Sequence, residues 1–179
     1  MKTKTIAAVA ITVALVFVFA GTFALLSQNV YLSREACHEG DVMPVFSPQD
    51  SEEIFKLISS AKSEIKLEVY EFSYKDLADI LIDARNRGVS VKVILEPSVY
   101  QNSAISEYLL NGGIDVSWAS KKFHNTHSKF AVFDDRVVLV GSTNWSKNAM
   151  LYNREASVII YSTETAGSFE RIFDADFGA

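Results

Sequence analysis

The 179-residue chain has one cysteine, three prolines, eight glycines and three histidines, and each shortage excludes something. Cys37 alone can neither close an internal disulfide nor build a zinc ribbon, so no staple of that kind replaces a hydrophobic core. With so little Gly and Pro and 49% hydrophobic residues, collagen-like, linker-like and wholly disordered chains are excluded. Basic charge is scarce as well: 17 Lys and Arg stand against 22 Asp and Glu, a net charge of −5. The molecule as a whole therefore does not hold a polyanion by its field, and any polyanion site is local. The length suits one folded domain.

Between Lys4 and Arg34 there is no charge at all. Within that gap residues 6–26 are apolar apart from Thr12, Gly21 and Thr22, and about 20 such residues cross a bilayer core as a helix. The run is longer than the apolar region of a cleavable signal peptide, and only weak small-x-small sites lie around Ala20 and Ala24. An uncleaved signal-anchor helix is favoured over a signal peptide. Lys2 and Lys4 keep residues 1–5 in the cytoplasm and send the rest across; cleavage would make it secreted or periplasmic. Residues 27–42 read as a linker and 43–179 as the folded domain, in which Cys37 and His38 take no part.

In that domain two periodicities alternate. Strands are expected over 43–46, 65–72, 89–95 and 114–118, and helices after Asp50, over 75–87 and over 105–110. Glu53, three residues past Asp50, suggests a capping box, and Gly88 is placed to stop the second helix. The alternation predicts an α/β domain with a mixed, mostly parallel β-sheet sandwiched between helices.

The segment that carries chemistry is 127–144, HSKFAVFDDRVVLVGSTN. Strand formers flank Asp134-Asp135-Arg136, which reads as a β-hairpin. Residues two apart share a strand face, so His127 and Lys129 point the same way. A two-residue turn at 135–136 sets Lys129 opposite Ser142 and His127 opposite Asn144. A turn at 134–135 sets His127 opposite Ser142 instead, and a three-residue loop alters the facing. Lys, Ser and Asn are donors for the non-bridging oxygens of a phosphate, and neutral His attacks phosphorus or accepts a proton near pH 7. No His, Cys or carboxylate set has metal-ligand spacing, so neither a metal nor another cofactor is implied. Phosphodiester chemistry fits all four side chains.

His127-x-Lys129, four residues, Asp134, six residues, then Gly141-Ser142-x-Asn144 fills every specified position of the HxKx4Dx6GSxN motif, and the chain here resembles the phospholipase D superfamily. From about Pro44 onward it is similar to the single-motif, nuclease-like branch, which includes small bacterial endonucleases and mitochondrial phospholipase D-like proteins. The resemblance implies the phospholipase D/nuclease fold and metal-independent hydrolysis. One histidine attacks phosphorus to give a phosphohistidine, a second protonates the leaving oxygen, and water releases the product. It makes His127 the nucleophile or acid, Lys129 and Asn144 the stabilisers of phosphoryl charge, and Ser142 their helper. Glu155, in Asn153-Arg154-Glu155, matches an acid that orients the histidine. Asp134 belongs to the motif set, yet parity places it off the His127 face, and a structural role is expected.

The chemistry takes two histidines and the chain has one motif, with His124 poorly placed as a second, so a homodimer sharing one active site is implied. Lys121, Lys122, Lys147 and Arg154 lie near the motif in sequence and are the candidate basic rim for substrate. The expectation is a membrane-anchored nuclease acting on DNA or RNA. Its rivals are a phospholipase D acting on phospholipid head groups and a catalytically inactive anchored scaffold. Tyr70, Tyr74 and Trp118 read as core or pocket wall.

Overall fold

The computed structural model describes residues His38–Ala179. The expectations for 1–5, for the membrane segment 6–26, for the linker as far as 37 and for Cys37 lie outside them. Among the described residues no helix is long and apolar enough to cross a membrane.

Seven strands form one sheet: β1 (Val42–Phe46), β2 (Glu64–Val69), β3 (Ser90–Leu95), β4 (Asp115–Trp118), β5 (Lys129–Phe133), β6 (Val137–Gly141) and β7 (Ala156–Tyr161). Their order is β1-β7-β6-β5-β2-β3-β4. Among the described residues five helices accompany them: α1 (Ser51–Ser60), α2 (Lys75–Asn86), α3 (Gln101–Asn111), α4 (Lys147–Leu151) and α5 (Thr163–Asp176). The expected mostly parallel sheet is corrected here. Only β2–β3 and β3–β4 are parallel, each joined by a crossover helix, whereas β1–β7, β7–β6, β6–β5 and β5–β2 are antiparallel. A parallel neighbour needs a crossover connection, and α2 after β2 and α3 after β3 supply the two that return the chain to an adjacent strand.

The sheet is covered on both faces, which is why β2 is buried along nearly its whole length. Ile65, Leu67, Val69, Val93, Ala131 and Leu139 pack against Ile54, Ile58, Leu77 and Leu81 of α1 and α2. On the other face Ile94, Phe130, Val132 and Val138 meet Ala166 and Phe173 of α5. Lys66 lies on that second face, buried, with its ammonium 3.1 Å from Asp174, 3.4 Å from Glu64 and 3.5 Å from Glu170. Burial lowers its pKa, but these carboxylates outweigh the burial and hold it above the ordinary lysine value.

Local signals fared unevenly. Gly88 ends α2 at φ 95°, where a residue without Cβ is favoured. The capping box at Asp50 does not form. Its carboxylate accepts from the Phe46 amide at 3.0 Å and so closes the turn after β1, leaving only its carbonyl to receive the Glu53 amide. The 105–110 helix starts earlier, at Gln101, because Asn102 and Ser106 are buried within it.

The hairpin has a three-residue loop. Phe133 pairs with Val137 and Phe130 with Val140, so Asp134, Asp135 and Arg136 form the turn, with the two aspartates at φ 53° and 57°. Neither two-residue register survives. Asp134 turns back onto the start of β2, where its carboxylate accepts from the amides of Lys62, Ser63 and Glu64 and from the Ser63 hydroxyl at 2.7–3.2 Å. Burial pushes this carboxyl up, but the bonds from Ser63, Lys62 and Glu64 prevail and hold it below the usual aspartate range.

A depressed folded-state pKa adds stability that is present above the unfolded value, about 3.9, and is lost as pH falls through the folded one. We therefore expect Asp134→Ala to cost about 1–2 kcal/mol at pH 7, the low end for a partly exposed carboxylate with several donors. In urea denaturation the gap between wild type and variant should close below about pH 4; a gap that persists there would show that the carboxylate charge is not its source.

Candidate active site

Strand directions decide where the motif residues meet. The carboxyl ends of β1, β2, β3, β4 and β6 and the amino ends of β5 and β7 all lie at one end of the sheet. His127 and Lys129 stand where β5 begins, Ser142 and Asn144 where β6 has ended, and Glu155 where β7 begins. Asp134 lies at the opposite end, so the structure does not bring it to the others.

With Gly141 opposite Lys129's level in the hairpin, strict alternation would turn Ser142 away. Convergence is restored because the chain leaves the strand. Gly141 passes so close to β7 that a Cβ there would lie 2.4 Å from the Ala156 carbonyl oxygen, so only glycine fits. Ser142 then donates its hydroxyl to Glu155 Oε2 and receives the Ala156 amide at 3.1 Å. Beyond it, the Trp145 amide binds the Glu71 carbonyl, and the Trp145 carbonyl takes the amides of Ser73 and Tyr74. Buried Trp145 packs on Phe72 at 5.3 Å, which docks 142–146 against the segment leaving β2. Ser146, not Asn144, caps α4 by accepting the Ala149 amide. Asn144 is thereby free to point into the site, its Nδ2 lying 3.5 Å from Glu71 Oε2 and its buried Oδ1 without a partner.

The His127 ring is exposed and rests on Tyr70, with ring centroids 4.4 Å apart. Lys129 Nζ lies 3.2 Å and 3.4 Å from the two ring nitrogens, donates to the His127 carbonyl at 2.8 Å and sits 5.1 Å from the Tyr70 ring centre. Burial pushes Lys129 below its ordinary pKa, while the carboxylates of Glu155 and Glu71 pull it back up. The cluster thus offers an exposed imidazole, a fixed cation, a carboxamide and two acids within one end of the sheet.

Sequence reasoning missed Glu71, the structural role of Asn102, and Glu68. Asn102 is fully buried, its Oδ1 accepting from the Phe72 amide and its Nδ2 donating to the Tyr70 and Glu96 carbonyls at 2.8 Å and 2.9 Å. It joins the exits of β2 and β3, and so sets the height of Tyr70 and Glu71. The available signal was position: polar residues just past the carboxyl end of a parallel strand line ligand sites in open sheets. Glu68, one strand face over, accepts from Ser128. Its burial pushes the carboxyl above the ordinary range against that hydrogen bond.

The candidate rim residues are spread over separate segments at this end. Lys121 and Lys122 line a cavity of about 630 Å3 with Glu96, Ser98 and His124. Lys147 opens α4 with its side chain exposed, and Arg154 donates to Gln49 Oε1 at 2.8 Å. None of the four touches the His127 cluster. Trp118 ends β4 at 41% exposure and is not a core residue.

The family model described as "Cardiolipin synthase, PLD-like domain" matches residues 54–177, which include every motif position. The chain belongs to the phospholipase D superfamily, as a single-motif member. Its relatives include cardiolipin hydrolases and cardiolipin synthases. A mitochondrial cardiolipin hydrolase of Chlamydomonas reinhardtii is 28% identical over 130 residues, 72% of this chain and 57% of that protein. The mouse mitochondrial cardiolipin hydrolase is 30% identical over 126 residues, 68% and 57%. This chain therefore spans little more than half the length of those relatives. Among solved structures, Nuc of Salmonella typhimurium, a phospholipase D family member, superposes with a TM-score of 0.72 at 29% identity, covering 77% of this chain and 94% of Nuc. NucT of Helicobacter pylori gives 0.69 at 25%, covering 77% and 96%.

Because Glu155 holds the Lys129 pKa up, Glu155→Gln should drive it further down. If turnover needs the ammonium, the alkaline limb of the kcat/KM profile moves to lower pH in this variant. An unmoved alkaline limb would remove Lys129 as the group responsible for it.

Proposed function

We propose that the chain is a metal-independent phosphodiesterase, a nuclease that works as a homodimer through a phosphohistidine. The observation that carries the reading is the exposed His127 ring with the Lys129 ammonium 3.2 Å from it, beside Asn144 and the Ser142–Glu155 pair. The His127 ring nitrogen attacks phosphorus; a P–N bond forms as the P–O bond to the leaving group breaks. Lys129 and Asn144 Nδ2 donate to the non-bridging oxygens as negative charge gathers there. His127 of the partner subunit protonates the leaving oxygen. That same imidazole, now neutral, takes a proton from water, which displaces His127 from phosphorus. Glu155, fixed by Ser142 and by Asn153 Nδ2 at 3.1 Å, supplies the carboxylate that orients a histidine of the pair.

Nucleic acid is favoured over lipid because the chain accounts for almost all of Nuc and NucT but only about half of the cardiolipin hydrolases. Lys121, Lys122 and Arg154 on loops and Lys147 at the start of α4 would meet flanking phosphates. Residues 6–26 anchor the protein in a membrane with the catalytic domain outside the cytoplasm.

The full-length protein, assayed in EDTA, is expected to cleave single-stranded DNA, duplex DNA or RNA and to leave cardiolipin and phosphatidylcholine intact. Lipid turnover without nucleic-acid cleavage would reverse the substrate assignment. His127→Ala should lower turnover by at least a thousandfold while sedimenting as the same dimer. Mixing the two proteins after subunit exchange tests the shared site: the rate should fall with the square of the wild-type fraction, and a linear fall would mean that each subunit works alone.

A further inference from the structure

On the α5 face of the sheet a cavity of about 570 Å3 opens beside the 127–129 segment. Phe123, Phe130, Val140, Phe169 and Ile172 form its apolar walls. Phe130 and Phe169 meet edge to face at 5.0 Å, and Phe123 and Ile172 remain 60% and 57% exposed, so the walls are reached from solvent. A volume of this size takes a small organic group and not a folded segment.

The floor is polar in one place. Glu68 lines the cavity and is only 2% exposed; one carboxyl oxygen accepts from the Ser128 hydroxyl, and the other, Oε2, has no partner. A buried acceptor without a donor is destabilising, and a donor that enters the cavity would relieve it. An acyl chain would fill the apolar walls and leave Oε2 as it stands, because the apolar part of a phospholipid carries no donor. A flat heterocycle with an N–H on its edge satisfies both parts: its faces lie on aromatic rings and its edge donates to the carboxyl.

We infer that this cavity is a nucleobase subsite, holding one unstacked base beside the phosphodiester at His127, with the phenylalanines against its faces and Glu68 Oε2 accepting from its N–H edge. The inference rests on the nuclease reading for the strand that delivers the base. The same base is also carried by a free nucleotide, and the two sources separate in the test.

Full-length His127→Ala protein, which does not turn substrate over, is titrated calorimetrically with AMP, CMP, GMP and UMP, with a six-nucleotide single strand and with dihexanoyl phosphatidylcholine. The same titrations are made with Glu68→Gln and Phe123→Ala added singly. Phe123 is exposed and Gln keeps the shape of Glu, and circular dichroism is used to check that both variants fold. At least one mononucleotide and the oligonucleotide should bind, each at least tenfold more weakly in either variant. Oligonucleotide binding alone, weakened likewise, still supports the subsite and assigns it to a strand; mononucleotide binding alone assigns it to a free nucleotide.

With His127 intact, an abasic residue flanking the cleaved phosphate should slow wild type at least fivefold and slow Phe123→Ala no further, the signature of a shared contact. Nucleotide affinities unchanged in both variants, or short-chain lipid binding that Phe123→Ala abolishes, would overturn the subsite. Nucleic-acid cleavage equally fast in wild type and both variants defeats the subsite and leaves the nuclease reading standing. Mononucleotide binding lost in the variants without any nucleic-acid cleavage does the reverse.

Discussion

The carboxylate of Asp134 is the point on which the arrangement turns. It gathers three backbone amides and a hydroxyl from residues 62–64, just where β2 begins, and thereby ties the β5–β6 turn to the start of the central strand. With that end fixed, β5 runs antiparallel to β2 in one register, Ile65 opposite Phe133 and Val69 opposite Lys129. Strand geometry then carries the constraint about five residues along, to the other end of the sheet, where His127 and Lys129 stand beside Tyr70. An acid that never approaches the imidazole still determines where the imidazole is.

At the site end a second buried polar group does the matching task. Asn102 holds the carbonyls of Tyr70 and Glu96 and the amide of Phe72, so the exits of β2 and β3 cannot splay. The docking of Trp145 on Phe72 brings the 142–146 segment across to that same exit. Rigid strands and satisfied buried amides, not loop flexibility, bring five polar side chains together. Glu155 and Glu71 oppose the burial that lowers the Lys129 pKa.

The two faces of the sheet divide their duties. One carries α1, α2 and α3 and a dense aliphatic core, whereas the other is covered by α5, which leaves room beside Phe130 and Val140. Ionic contacts of Lys66 with Glu170 and Asp174 seat α5 toward the Asp134 end, and the cavity lies toward the His127 end. Stability and recognition are thus carried by different sides of a single helix, Glu170 and Asp174 on one and Ser168, Phe169, Ile172 and Asp176 on the other.

The sequence by itself determined most of the elements and the chemistry. Period-two and period-3.6 patterns located β1 to β6 and α1 to α3 to within a few residues but missed β7 and α5, and the spacing of His127, Lys129, Asp134, Gly141, Ser142 and Asn144 pointed to the superfamily. Those features are local, and local covalent geometry enforces them. Tertiary structure decided strand direction, the hairpin register and the neighbours. The mostly parallel sheet was a misreading because pairing direction depends on which strand lies alongside, a non-local matter. The facing of Ser142 followed a chain that leaves the strand at Gly141, where the approach of β7 admits no side chain. Glu71, Asn102 and Glu68 carry no motif; they matter only because β2, β3 and β5 end together, and no spacing along the chain encodes that meeting.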